Sequence, residues 1–219
     1  AGQDVAPAYL PDGRIVFSST RQRVSKAILL DEGKPQYSGL DEELDSPAFL
    51  LHVMDDDGRN IEQITFNQSH DLDPVVMGDG TIIFSRWDNA GQVRNNGVNL
   101  YRVNPDGTGL SYLYGRHSHE SIPEASDIQF LRPQALDSGN LLVQLRPFES
   151  DDYASVLAEI DVERFVEANL CVDGTEAVGQ RSLIPGIRLN GELSLEGRYG
   201  FASPLLDGTG RYLFSWTPC

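Results

Sequence analysis

"LPDGRIVFSST", Leu10 to Thr20, and "MGDGTIIFSRW", Met77 to Trp87, are near copies of one another 67 positions apart. At that offset Asp4 falls on Asp71, Pro7 on Pro74, Asp12 on Asp79 and Gly13 on Gly80. Ile15, Val16, Phe17 and Ser18 fall on Ile82, Ile83, Phe84 and Ser85, and no gap is needed. A third copy carries Pro133, Gly139 and Leu141-Leu142-Val143. A fourth reads "SPLLDGTGRYLFSW", with Pro204, Gly210, Tyr212, Leu213, Phe214 and Ser215, so the repeated prolines stand at 7, 74, 133 and 204. Self-similarity at a long, near-fixed spacing marks a repeat architecture.

The unit of repetition is readable. An extended stretch runs into Asp-Gly, a pair that tolerates the positive φ of a hairpin turn, and a β-branched and aromatic run follows as a buried strand. A second module comes next: "FLLHVMDDDGRNIEQITF" after the first copy and "NLYRVNPDGTGLSYLYG" after the second, each again strand, Asp-Gly turn, strand. Four meandering strands per repeat make a propeller blade. The expected fold is therefore all-β: a β-propeller of four-stranded antiparallel blades, with little helix. Blades are expected at about 1–66, 67–115 and 127–170, with a fourth begun at about 203. Phe17, Phe84 and Phe214 are expected at equivalent buried positions. About three and a half blades do not close a ring, so a longer chain or a second chain is expected to supply the rest.

Insertions separate the copies. Residues 21–47 form a long polar loop, "DNAGQVRNNGV" is its counterpart in the second repeat, and "DVERFVEANL" (161–170) replaces an Asp-Gly hairpin with a short helix. Such loops gather on one side of a propeller, where binding usually resides.

Composition excludes several function classes. The net charge of −16 argues against a nucleic-acid partner, which wants a basic stripe, and against anionic membrane surfaces. No apolar run approaches the roughly 18 residues of a membrane span. Acidity suits cationic ligands and calcium, or simply a well-solvated surface. The opening "AGQDVAPAYL" has neither the basic nor the apolar region of a signal peptide, but its small residues suit the start of a mature exported chain. The chain contains no G-x-S-x-G, GxxxxGK[ST], GxGxxG, HExxH, CxxC or CxxCH, so no catalytic motif marks this segment as an enzyme.

"APAYLPDGRIVFSST" together with "NLYRVNPDGTGL" resembles the TolB-type, WD40-like (PD40) propeller repeat over most of residues 4–115 and 203–217. "LPDGRIVFSSTRQ" with "IQFLRPQALDSGNLLVQLRPF" resembles the propeller region of proteins related to the hydrazine synthase alpha subunit. The first resemblance implies a propeller and, with the composition, a periplasmic or extracellular binding or scaffold module that docks a protein partner. The second implies the propeller domain of a larger exported oxidoreductase subunit, with haem domains outside this segment. Nothing in this chain carries a haem motif.

The candidate site comes from the connectors between blades. "NQSHDLD" places His70, Asp71 and Asp73 on one face, and "RHSHESIPEASD" places His117, His119 and Glu120 there, with Asp4 joining by the repeat. Imidazoles with carboxylates suit zinc or another transition metal, and the carboxylates alone suit calcium. The competing reading makes them hydrogen-bonding connectors, with the aspartates tying neighbouring blades together through backbone N–H groups. The two cysteines, Cys171 and Cys219, are expected to pair if the chain is exported.

Overall fold

The computed structural model describes residues 2–22, 30–33, 39–41, 43–87, 97–115, 128–147, 155–163, 179–187 and 196–218. Among them the chain forms fourteen strands. It divides into two compact units, Ala1–Asn95 with Tyr101–Tyr112, and Asn96–Leu100 with Leu113–Cys219.

The first unit opens with a meander: β1 (Asp4–Tyr9), β2 (Ile15–Ser19), β3 (Leu50–Met54) and β4 (Glu62–Gln63), antiparallel and paired in chain order. A second antiparallel pair follows, β5 (Asp71–Val76) and β6 (Ile82–Trp87). β7 (Val98–Val103) and β8 (Ser111–Tyr114) continue the order, contributing to this unit their residues from Tyr101 to Tyr112. Its core joins Leu10, Val16, Leu51, Val53, Ile64, Ile82, Phe84 and Val103. The repeated apolar run thus supplies both layers, which is why it is apolar on every residue rather than on alternate ones.

The second unit contains the meander β9 (Ile128–Ala135), β10 (Leu141–Pro147), β11 (Val156–Ile160) and β12 (Gln180–Ser182), followed by the pair β13 (Arg198–Pro204) and β14 (Tyr212–Thr217). Leu142, Leu157 and Ala202 form a core cluster between the meander and the pair. Among the described residues the expectation of antiparallel pairing meets one departure. Val98 at the start of β7 registers with Gln129 of β9 in parallel, over that one residue pair.

Five of the hairpin turns are built the same way. Leu10 N–H donates to Arg14 O and Gly13 N–H to Leu10 O, and the pattern recurs over Asp55–Arg59, Met77–Thr81, Asn104–Thr108 and Leu136–Asn140. In all five the glycine takes φ between +80° and +90°, as a three-residue loop with a left-handed last residue requires. In four the turn aspartate accepts the N–H two residues on, as Asp12 does from Arg14 and Asp79 from Thr81.

The repeated proline has a backbone purpose. Ala6, Asp73 and Arg132, each just before it, have φ near +50°. In each first strand the pair register slips there, so Ala6-Pro7 faces Phe17, Asp73-Pro74 faces Phe84 and Arg132-Pro133 faces Val143. This is a β-bulge, which bends the strand and increases its twist.

The fourth copy departs from that plan. Its slip falls at Gly200, between Tyr199 and Phe201, and Pro204 pairs with Tyr212 next to the turn. Pro204 therefore stands where Tyr9 stands in β1, and its place in the proline series is accidental. Phe17 and Phe84 are buried, but Phe214 is 38% exposed. The expectation of three equivalent buried phenylalanines fails at Phe214 because β14 has a strand on one side only among the described residues. The outer partner of β11 lies at Gln180–Ser182, past the expected limit of 170, and the fourth repeat opens at Arg198, upstream of 203. The helix expected at 161–170 falls almost wholly outside the described residues, as do Cys171 and Cys219.

Candidate functional site

Of the expected metal residues, Asp4, His70, Asp71 and Asp73 lie where β1 and β5 begin. Asp71 is fully buried on β5, and its two oxygens accept Arg86 Nε at 2.8 Å and Nη2 at 2.9 Å. Its Oδ1 also accepts Asn67 Nδ2, and its backbone O accepts Ser18 Oγ. The guanidinium of Arg86 lies 5.3 Å from the Phe84 ring and 4.9 Å from that of Tyr101. A bidentate pair packed against two neighbouring aromatic rings is a structural clamp.

His70 accepts the Phe49 N–H at Nδ1, and its ring stacks 6.0 Å from that of Trp87. Asp73 sits on the bulge. Asp4, the repeat counterpart of Asp71, pairs instead with Arg21 and takes the Ser19 hydroxyl at 2.6 Å. Burial pushes the Asp4 carboxyl up, but the bonds from Arg21 and Ser19 outweigh it and hold it below the usual range. His117, His119 and Glu120 lie outside the described residues. Among the described residues no three of His, Cys, Asp and Glu gather as a metal site would need.

Two features that the sequence did not announce lie in the second unit. The first is Glu159, on the face of β11 that carries Leu157. It accepts Asn140 Nδ2 at 2.7 Å and pairs with Arg181. Burial raises its carboxyl, and those two partners more than offset this, so it stays below the ordinary range. Two small clefts meet on it: one of about 280 Å³ lined by Asp161, Gly179 and Arg181, and one of about 200 Å³ lined by Leu136, Leu206, Arg211 and Tyr212. Burial and the Glu159 charge raise the pKa of the Tyr212 hydroxyl.

The second feature is the sheet β13–β14 itself. Leu213 is 65% exposed and Trp216 56%, with Phe201, Phe214, Leu205 and Leu206 also exposed. Tyr199, Phe214 and Tyr212 pack ring against ring at 5.7 and 6.0 Å, so the face is ordered by its own aromatics. Leu213 lies on the opposite face of β14 from Phe214 and Trp216, so both faces of this strand carry exposed apolar side chains, and exposed apolar surface marks an interaction site. In the sequence, "YLFSW" reads as a core strand, because composition cannot tell a covered strand from an uncovered one.

No family model matches the chain, and no curated protein matches it. The solved structures supply the comparison. Hydrazine synthase of Kuenenia stuttgartiensis superposes with a TM-score of 0.65 at 17% identity, over 99% of this chain and 30% of that one. TolB from Acinetobacter baumannii (TM-score 0.46, 15% identity, 97% and 40%) and puromycin hydrolase (TM-score 0.46, 14% identity, 98% and 33%) are also similar. The chain spans about a third of the length of these proteins. The likeness shows the fold: an all-β chain forming part of a β-propeller.

Proposed function

We propose that this chain is a propeller scaffold module of a periplasmic or extracellular assembly and that it docks a protein partner. The observation that supports this reading is the β13–β14 sheet, which leaves Leu213, Phe214 and Trp216 exposed on an ordered strand. The partner class follows from exclusion as well as from shape. A charge of −16 repels nucleic acid and anionic lipid, and among the described residues no helix is long and apolar enough to cross a membrane.

The test is site-specific photo-crosslinking in the producing cells. A photoreactive residue is placed at Leu213, and in a second protein at Tyr9, which is 73% exposed in the first unit. A recurring adduct to one exported protein, identified by mass spectrometry, is the expected result. No adduct from either position would end the docking reading.

A second reading rests on the superposition with hydrazine synthase over nearly the whole chain. In it the module is the propeller domain of a larger oxidoreductase subunit whose haem domains lie elsewhere in the polypeptide. The discriminating observation is the gene beyond the Cys219 codon. CxxCH motifs there favour the oxidoreductase, and further propeller repeats alone favour the scaffold.

A further inference from the structure

We propose that His52 is a proton-operated latch on the neck of the 21–47 insertion. The neutral ring ties Arg21 to β3 by one hydrogen bond, and a proton taken up at Nδ1 on acidification tightens that hold.

The neck is built from both ends of the insertion. Gln22 Nε2 donates to Gly39 O at 2.8 Å and to Ala48 O at 2.6 Å, and its Oε1 accepts the Gly39 N–H at 2.7 Å. Ala48 N–H donates to Gly39 O, and Leu40 N–H to Gln68 O in the connector toward β5. A Cβ on Gly39 would lie 2.6 Å from Asn67 O, so insertion and connector meet backbone to backbone. One side-chain amide thus closes the neck, and its reach depends on where the chain runs at residues 21 and 22. His52 holds residue 21.

The His52 ring is buried, and both of its nitrogens face carbonyl oxygens: Leu50 O at 3.0 Å from Nδ1 and Arg21 O at 3.1 Å from Nε2. A neutral imidazole has one donor and one acceptor. It satisfies one of these carbonyls, and its remaining lone pair then points at an oxygen. Leu51 O accepts the Ile64 N–H on the β4 side, so by alternation Leu50 O faces β2, where Ser19 stands opposite in the ladder. Arg21 lies beyond the end of β2, and its O has no other donor among the described residues. The hydrogen of the neutral ring therefore sits on Nε2, and Nδ1 faces Leu50 O without one. Only the imidazolium donates to both.

The charges that act on the ring oppose one another. The Arg21 guanidinium lies over the Phe17 ring, on which His52 stacks, and it disfavours a second cation. Asp4, paired with that guanidinium, favours one. β4 places the neutral Gln63 opposite His52. With Arg21 and Asp4 offsetting each other, the bonds at the two nitrogens decide the outcome, and a charged donor makes the stronger bond to Arg21 O. Burial delays the uptake of the proton, so the latch responds to acid rather than near neutrality.

The test follows the intact protein by NMR as pH is lowered from 7.5. The ring nitrogens of His52 should show the Nε2–H tautomer at the start and a second hydrogen, on Nδ1, at acid pH. Amide protection factors of Gln22 and Gly39 should rise by about threefold or more over the same transition, even as global stability falls. In His52→Gln they should not rise. An Nδ1–H tautomer at pH 7.5 overturns the proposal, as does a ring that stays neutral until the protein unfolds. Protection that stays flat or falls while the ring charges overturns it too. So does an equal rise in His52→Gln, which assigns the response to another group.

Discussion

His52 is the residue whose titration the fold controls most clearly. It is buried on β3, stacked on Phe17, with Nδ1 3.0 Å from Leu50 O and Nε2 3.1 Å from Arg21 O. Burial disfavours the charged ring and holds its pKa below the ordinary 6.5, with the two carbonyls opposing that shift. A histidine whose folded pKa is depressed stabilises the fold fully above the unfolded value. That stability is lost as pH falls from about 6.5 to the folded pKa, because the unfolded chain takes up the proton first. Urea titrations at pH 7.5 and 5.5 should show lower stability at the acid point, and His52→Gln should flatten that difference. An equal acid loss in the variant would show that His52 is not the group responsible. Asp4 and Glu159 act in a separate window. Their depressed pKa values make their contribution present above the unfolded carboxylate range and lost below about pH 4. The phenylalanines divide by burial: Phe84→Ala should cost about 3–5 kcal/mol. Phe214→Ala should cost less than half as much in the same titration, because its ring is partly in water already.

At the scale of the element, strands begin and turn by fixed devices. The buried Asp71–Arg86 pair ties the start of β5 to the end of β6. Removing one partner strands a buried charge, so Asp71→Ala should destabilise by about 3–5 kcal/mol. The double variant Asp71→Leu, Arg86→Met should recover most of that loss by chemical denaturation. A double variant no better than the single would show that the surrounding bonds, not the stranded charge, set the cost. The β5–β6 turn depends on Gly80, with φ of +87° and no close neighbour beyond Pro11. Gly80→Val should lose roughly 1–2 kcal/mol through backbone strain alone. A loss below about 0.5 kcal/mol would mean the turn relaxes to another type.

At the scale of the whole molecule, stability should be graded by how strands are flanked. β6 and β10 have strands on both sides, whereas β14 has one neighbour among the described residues. Amide exchange of the free protein should therefore be slowest in β6 and β10 and fastest in β14. Protection in β14 equal to that in β10, in a protein monomeric by light scattering, would contradict the open edge. The net charge makes partner docking sensitive to ionic strength, so the on-rate of a basic partner should fall as salt rises.

The division between sequence and tertiary structure follows from what each repeat position must satisfy. The Asp-Gly pairs fix their turns by local chemistry, a left-handed glycine and an aspartate accepting a nearby N–H, so the hairpins from Leu10 to Arg14 and from Met77 to Thr81 were legible residue by residue. The apolar run "IVFS" was equally legible as a strand, because any sheet needs it covered. The bulge before each proline was not, because Ala6, Asp73 and Arg132 share no side-chain property and only the cross-strand register places them. The fourth copy shows the same limit. Pro204 matched the proline series in sequence, yet two extra loop residues before the return strand put it beside the turn. The connector residues His70 and Asp71 were found, but not their partners. Arg86 lies 15 residues along the chain from Asp71, and its bidentate reach exists only once β5 and β6 pair. The sequence of β14 reads as core for the most general reason of all. Burial belongs to the space around a strand, and only the folded chain decides what lies beside Phe214 and Trp216.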